Sequence, residues 1–157
     1  MLVFSNCKIN LGLNVINKRL DGFHNLKTVF YPINWLDALE VIEDDRSKNG
    51  FSFSQSGLTI DVPIENNLIY KAWQLINNKT KLPPIKVNLV KRIPMGAGLG
   101  GGSSNAAYFI TLINSKFELG LSSNDMIQLS AQIGSDCAFF INNKPVFAEG
   151  KGDVLSS

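Results

Sequence analysis

Five glycines fall within Pro94-Met95-Gly96-Ala97-Gly98-Leu99-Gly100-Gly101-Gly102-Ser103-Ser104-Asn105-Ala106-Ala107. Residues 85–93 before this stretch read as a β-strand, and the apolar residues after it recur at helical spacing. Glycine has no Cβ to hold a ligand off the backbone, and it reaches positive φ, so successive N–H groups can turn toward one point. A helix opening there adds unpaired N–H groups and the positive end of its dipole. The stretch therefore predicts a cradle for an anion, most simply phosphate. Gly96, Gly98 and Gly101 also satisfy G-x-G-x-x-G. A dinucleotide site, however, needs an acidic residue ending a second strand about 20 residues on, and Glu118 sits in a helical pattern instead. A Walker-type loop needs Gly-Lys-Ser/Thr, whereas Gly102 is followed directly by Ser103. A Gly/Ser linker is the bland alternative. The strand before and apolar helix after, without charged or Pro-rich padding, argue against it.

Length and charge narrow the field. A chain of 157 residues, 45% hydrophobic, can bury one sizeable core, and its net charge of +2 makes no electrostatic case for nucleic acid or an anionic membrane. Two cysteines, Cys7 and Cys137, and one histidine give no disulfide framework and no zinc spacing, which suits a reducing cytoplasm. Neither a basic leader nor an apolar run of about 18 residues is present.

Along the chain, Ile9, Leu11, Leu13 and Val15 alternate with Lys8, Asn10, Gly12 and Asn14, predicting a half-buried strand with Lys8 and Asn10 together on its polar face. A solvated outer face is the ordinary fate of such residues. An Asp21-Gly22 turn then presents Phe23 beside His24, where an aromatic serves either as a binding group or as a cap on the core. Runs 26–33, 38–43, 51–54 and 58–62 read as short strands of an antiparallel meander. With Asn66 or Asn67 as cap, Leu68, Ile69, Ala72, Trp73 and Ile76 line one face of a helix. After the glycines, Ala106, Ile110, Ile113 and Phe117 define a second helix. Ser122 to Asp125 caps a third, carrying Met126, Leu129 and Ile133 and stopped by Gly134. Asp136 stands between that helix end and an apolar run, as a turn or N-cap carboxylate or as a working one. Residues 147–152 close with a strand and turn.

The pattern Pro94-x-x-x-Gly98-Leu99-Gly100 followed by Ser103-Ser104-x-Ala106-Ala107 resembles the phosphate loop of the GHMP small-molecule kinases. The extra glycines 101 and 102, Asn105, the Lys8-x-Asn10 pair and Asp21-Gly22-Phe23-His24 are similar to one branch, the 4-diphosphocytidyl-2-C-methyl-D-erythritol kinases of the non-mevalonate isoprenoid pathway. The similarity runs from Lys8 to Gly152. It implies an α+β fold like ribosomal protein S5 domain 2, a mixed, mostly antiparallel sheet with packed helices. It also implies ATP as phosphoryl donor, delivered with Mg²⁺ near Ser103 or Ser104 and with no acidic ligand assignable. Gly134, Asp136 and Phe140 match the Gly-x-Asp-x-x-x-Phe stretch that carries the catalytic aspartate, and Lys8 would pair with it. Asn67, Leu68, Lys91, Met95 and Asn105 would border adenine, although core packing would equally account for Leu68 and Met95. Asn10 would belong with the substrate, a CDP-methylerythritol, with Phe23 stacking on cytosine and His24 bonding its edge. Phe23 replaces the family's more usual Tyr, keeping the π-face and losing a hydroxyl.

Family members continue into a second domain that closes the cleft, so the resemblance implies weak turnover by residues 1–157 alone. The oligomeric state is left open. Two rivals remain: a GHMP kinase for a sugar, mevalonate or homoserine, and an S5-like nucleic-acid-binding module. The latter would want a basic stripe with interleaved aromatics, whereas the lysines and arginines here are dispersed.

Overall fold

The computed structural model describes residues 1–22 and 24–156. Two long strands dominate it, β1 (Leu2–Lys18) and β2 (His24–Glu43). They pair antiparallel along their whole length, and β2 is the central strand of a six-stranded sheet. On its other side β2 pairs antiparallel with β4 (Ile85–Lys91) through residues 38–43 and with β5 (Val146–Glu149) through residues 28–30. The short β6 (Val154–Ser156) flanks β5, and β3 (Phe51–Gly57) forms the edge beyond β4.

Four α-helices complete the fold. The first, α1 (Leu68–Lys79), begins at Asn67, whose side chain accepts a hydrogen bond from the Ile69 N–H. The glycine loop leads into α2 (Gly101–Lys116). Ser122 and Asp125 exchange the two bonds of a capping box at the start of α3 (Ser123–Ala131), and α4 (Cys137–Asn142) is a short last helix. Leu39 and Val41 of β2 and Val87 and Leu89 of β4 bury one sheet face against Ile69 and Trp73 of α1 and Phe109, Ile110 and Ile113 of α2. A second cluster, Phe30, Ala107, Phe139, Phe140 and Ala148, joins α4 to the middle of β2. The sheet is thus mixed, mostly antiparallel, with helices packed on it.

Several local expectations are corrected. The meander is broken: β3 runs parallel to β4, because α1 crosses over between them. Residues 58–62 form no strand; Leu58 is tied by its N–H to the Lys91 carbonyl at 2.8 Å, and the chain loops on to Ile64. Runs 26–33 and 38–43 are one strand, because the register shift opposite Asn6 and Cys7 absorbs Asn34 and Trp35 as a bulge. The apolar positions of β1 are not its buried face: Leu11, Leu13 and Val15 are 47–56% exposed, while Ser5, Asn6, Cys7 and Lys8 are buried. Alternation distinguishes two faces without saying which one is covered. Here Gly12, at φ +65°, also shifts the register, so the alternation does not stay on one side. Nor does Gly134 stop α3 in a left-handed turn; the helix closes at Gln132, in the right-handed region.

Candidate active site

The glycine loop between β4 and α2 reaches the left-handed region at alternate residues: Gly96 at φ +73°, Gly98 at +71° and Gly100 at +67°. An added Cβ would meet nothing within 4 Å at Gly96 or Gly98, so the backbone there borders open space. Gly100 occupies the N-cap position of α2, and the N–H groups of Gly101, Gly102 and Ser103 follow as the unpaired donors of its first turn. The two serines differ. Ser104 is fully buried, with its hydroxyl lacking a partner, while the half-buried Ser103 lies against the Cys137 thiol.

Lys8 reaches this loop from β1. Its backbone N–H donates to the Leu99 carbonyl at 2.9 Å, and its Cε would lie 3.3 Å from a Cβ at Gly100. Only 3% exposed, its ammonium faces the Phe30 ring at 4.5 Å, donates to Asn10 Oδ1 and stands 3.5 Å from Asp136 Oδ2. Asp136 holds the N-cap position of α4 without capping it; Ser135 Oγ donates to its Oδ1 at 3.2 Å. Gly152, in the β5–β6 turn, lets backbone close on that oxygen, since a Cβ there would sit 3.3 Å from it. The Lys8 side chain therefore lies between the Asp136 carboxylate and the Gly100 end of the loop.

On the far side of the loop, Asn67, Leu68, Met95, Gly102 and Asn105 line a cavity of about 240 Å³, closed by Ile60 and Val62 of the 58–66 loop. Lys91 is not in it. Its ammonium lies beneath Gly101, where a Cβ would come within 2.9 Å of Nζ, and it is held by Asp37 at 2.5 Å, with neither side chain exposed. Pro94 and Ala97 complete the loop without a polar side chain to offer.

His24 is exposed at the start of β2, opposite Lys18 and six positions along the strand from Phe30, roughly 20 Å between their Cα atoms. Phe23 lies outside the described residues. The turn at residues 20–22 is fastened by Arg19, which donates to Asp21 through Nε and Nη2 and to Asn25 Oδ1 through Nη1 at 3.0 Å. Sequence reasoning passed over Asp37 and Phe30. Asp37 had a signal: it alternates with Leu39 and Val41, an acid at a buried position of an apolar strand.

Burial pushes the Cys137 thiol up to about 11 against a hydrogen bond from Ser103. A raised pKa makes the folded state hold its proton where the unfolded chain has lost it, so this contribution to stability drains away as pH rises from 9.0 toward about 11. The unfolding midpoint is therefore expected to fall less steeply over that window in Cys137→Ala than in the unsubstituted protein. Equal slopes in thermal melts would refute it.

Among known families, the model for the N-terminal domain of GHMP kinases matches residues 67–144. A Bacteroides fragilis protein named 4-diphosphocytidyl-2-C-methyl-D-erythritol kinase is 52% identical over 99% of this chain, and one of that name from Bacteroides thetaiotaomicron is 49% identical over 99%. This chain spans 57% of the length of each. A crystal structure of 4-(cytidine 5'-diphospho)-2C-methyl-D-erythritol kinase superposes with a TM-score of 0.81 at 32% identity, over 99% of this chain and 54% of that one. Mevalonate kinase from Methanococcus jannaschii, at 12% identity and a TM-score of 0.72 over 100% of this chain and 55% of that one, shares the fold. A sheet of this topology, a glycine loop opening α2 and relatives of these kinds agree: the chain is similar to the GHMP kinases and has the fold of their N-terminal domain.

Proposed function

We propose that residues 1–157 supply the nucleotide-binding and catalytic side of an ATP-dependent kinase acting on the 2-hydroxyl of 4-(cytidine 5'-diphospho)-2-C-methyl-D-erythritol, in cytoplasmic non-mevalonate isoprenoid synthesis. The observation that carries the reading is the Lys8–Asp136 pair beside the open backbone of Gly96 to Ser103. The relatives' names supply the substrate.

Phosphoryl transfer asks the protein mainly for position and charge. The loop and the first turn of α2 hold the phosphates by backbone N–H groups. The cavity beside Leu68 and Met95 takes the adenine, with Asn67 and Asn105 at its polar edge. Asp136 accepts the proton of the attacking hydroxyl as that oxygen bonds to the γ-phosphorus and ADP leaves. Lys8, steadied by Asn10, offsets the charge that develops there. Mg²⁺ would supply charge neutralisation to the triphosphate. An ion of this kind keeps phosphate oxygens and waters as most of its ligands, and Ser103, whose hydroxyl is not sealed in, is the side chain offered to it. Among the described residues no three His, Cys, Asp or Glu side chains gather as a cage. His24 and Phe23 would take the cytosine, and the span from His24 to Lys8 suits a substrate stretched out as a nucleoside-diphosphate ester. Among the described residues no helix is long and apolar enough to cross a membrane.

The test is ADP release by the full natural chain with ATP and, in turn, the cytidyl substrate, a hexose, mevalonate and homoserine. Turnover with the cytidyl compound alone is expected. Preference for any other acceptor would replace the substrate assignment and leave the family intact.

A further inference from the structure

Beneath the nucleotide loop, the Asp37 carboxylate is wholly buried and accepts from four donors on two elements that flank the loop. Oδ1 takes the backbone N–H groups of Arg92 at 2.6 Å and Ile93 at 2.8 Å, the residues that lead from β4 into the loop. Oδ2 takes Lys91 Nζ and, at 2.9 Å, Asn105 Nδ2 from the second turn of α2, where the loop has ended. The second Asn105 N–H goes to Ser5 Oγ on β1 at 2.8 Å, three residues from Lys8. Gly101 is packed down on Lys91 and Ile93.

We infer that Asp37 is a positioning residue for the nucleotide loop, holding its two ends at a fixed separation so that the N–H groups of residues 96–103 are aimed before ATP arrives; the inference rests on the nucleotide reading of that loop. A loop with three left-handed glycines has many conformations to lose on binding a phosphate. Fixing both ends on one carboxylate removes part of that loss in advance. Lys91 makes this possible by neutralising a charge that could not otherwise stay buried. Its role is thus to serve the carboxylate from below, not to contact adenine.

A buried ion pair that merely held the fold together would change how much protein folds and leave the folded fraction's affinities alone. Two variants of the full natural chain separate the cases. Asp37→Asn turns an amide toward Lys91 and Asn105, setting donor against donor. Asp37→Leu with Lys91→Met removes both charges, an exchange that buried pairs often tolerate, and keeps the question open should the single variant not fold. In folded protein, verified by circular dichroism, calorimetry is expected to show ATP bound at least about tenfold more weakly, the order that residues orienting a contact group are worth. Amide exchange at residues 96–103 is expected to be faster, with the KM for the alcohol substrate unchanged. A folded variant with undiminished ATP affinity, or an equal rise in both KM values, would overturn the inference. Failure of the unsubstituted chain to bind ATP would instead sink the nucleotide reading, and this inference with it.

Discussion

Asp136→Asn in the full natural chain is expected to lower kcat by at least about a hundredfold, the usual scale for loss of a general base, with the KM for ATP nearly unchanged. The substitution keeps the size and planarity of the group. It removes the charge that faces Lys8 at 3.5 Å and the lone pair that would take the proton. ATP affinity is spared because Asp136 stands on α4, across the loop from the cavity beside Leu68 and Met95. Lys8→Met should fall as far. Methionine keeps the stem packed between Gly100 and Phe30 and takes away only the ammonium, so lost turnover cannot be ascribed to lost packing. Because the two groups act on the same hydroxyl, the double variant should be little worse than either single one. Steady-state kinetics on the three variants decide the matter: multiplied losses in the double, or a Lys8→Met enzyme at full rate, would separate residues assigned to one step.

Helices α1 and α3 were legible because each carries its own cap, Asn67 and the Ser122–Asp125 box, and α2 because apolar residues recur at helical spacing after the glycines; α4, six residues long and without a side-chain cap, read only as an apolar run. The glycine loop was legible because nothing but close approach or positive φ explains so many bare residues between a strand and a helix. The strands were harder. A bulge at Asn34 and Trp35 looks in sequence like a gap between two strands, and a parallel pairing of β3 with β4 is decided by the crossover through α1 rather than by any residue in either strand. The exposed arm of β1 shows the same limit: Leu11, Leu13 and Val15 follow the strand rule, but helices that would cover them are not above them.

The site divides along similar lines. Lys8 and Asp136 could be selected by motif, yet their meeting depends on the backbone bond that ties Lys8 to Leu99 and on where the chain enters α4, contacts between segments far apart in sequence. The resemblance offered Lys91 for the adenine border, and the structure buries it against Asp37. Its phase in the strand signals that burial, since Ile85, Val87, Leu89 and Lys91 share the buried parity just as Asp37 does with Leu39 and Val41. Two opposite charges, each at a buried position of neighbouring strands, are a signal for a pair.

Gly100→Ala should be far more damaging to turnover than Gly98→Ala, although both glycines are left-handed and two residues apart. At Gly98 the new methyl group meets no protein atom within 4 Å, so beyond the backbone term of about 1–2 kcal/mol for an L-residue in that region it intrudes only on the phosphates' space, which raises the KM for ATP rather than displacing Lys8. At Gly100 the same term applies, and the Cβ would also lie 3.0 Å from Phe140 Cζ and 3.3 Å from Lys8 Cε. Phe140 is packed against Phe139 in a buried cluster and has little room to retreat, so the lysine stem is the part that gives way. Moving its ammonium by about 1 Å from the carboxylate is enough to cost on the order of a hundredfold in rate, because the near-attack geometry is lost before the fold is. The expected pattern is therefore a modest and similar drop in melting temperature for both variants, with kcat falling steeply only in Gly100→Ala. Equal kcat in the two would mean that the ammonium of Lys8 does not depend on the backbone at Gly100, and that the loop and the catalytic pair are built independently.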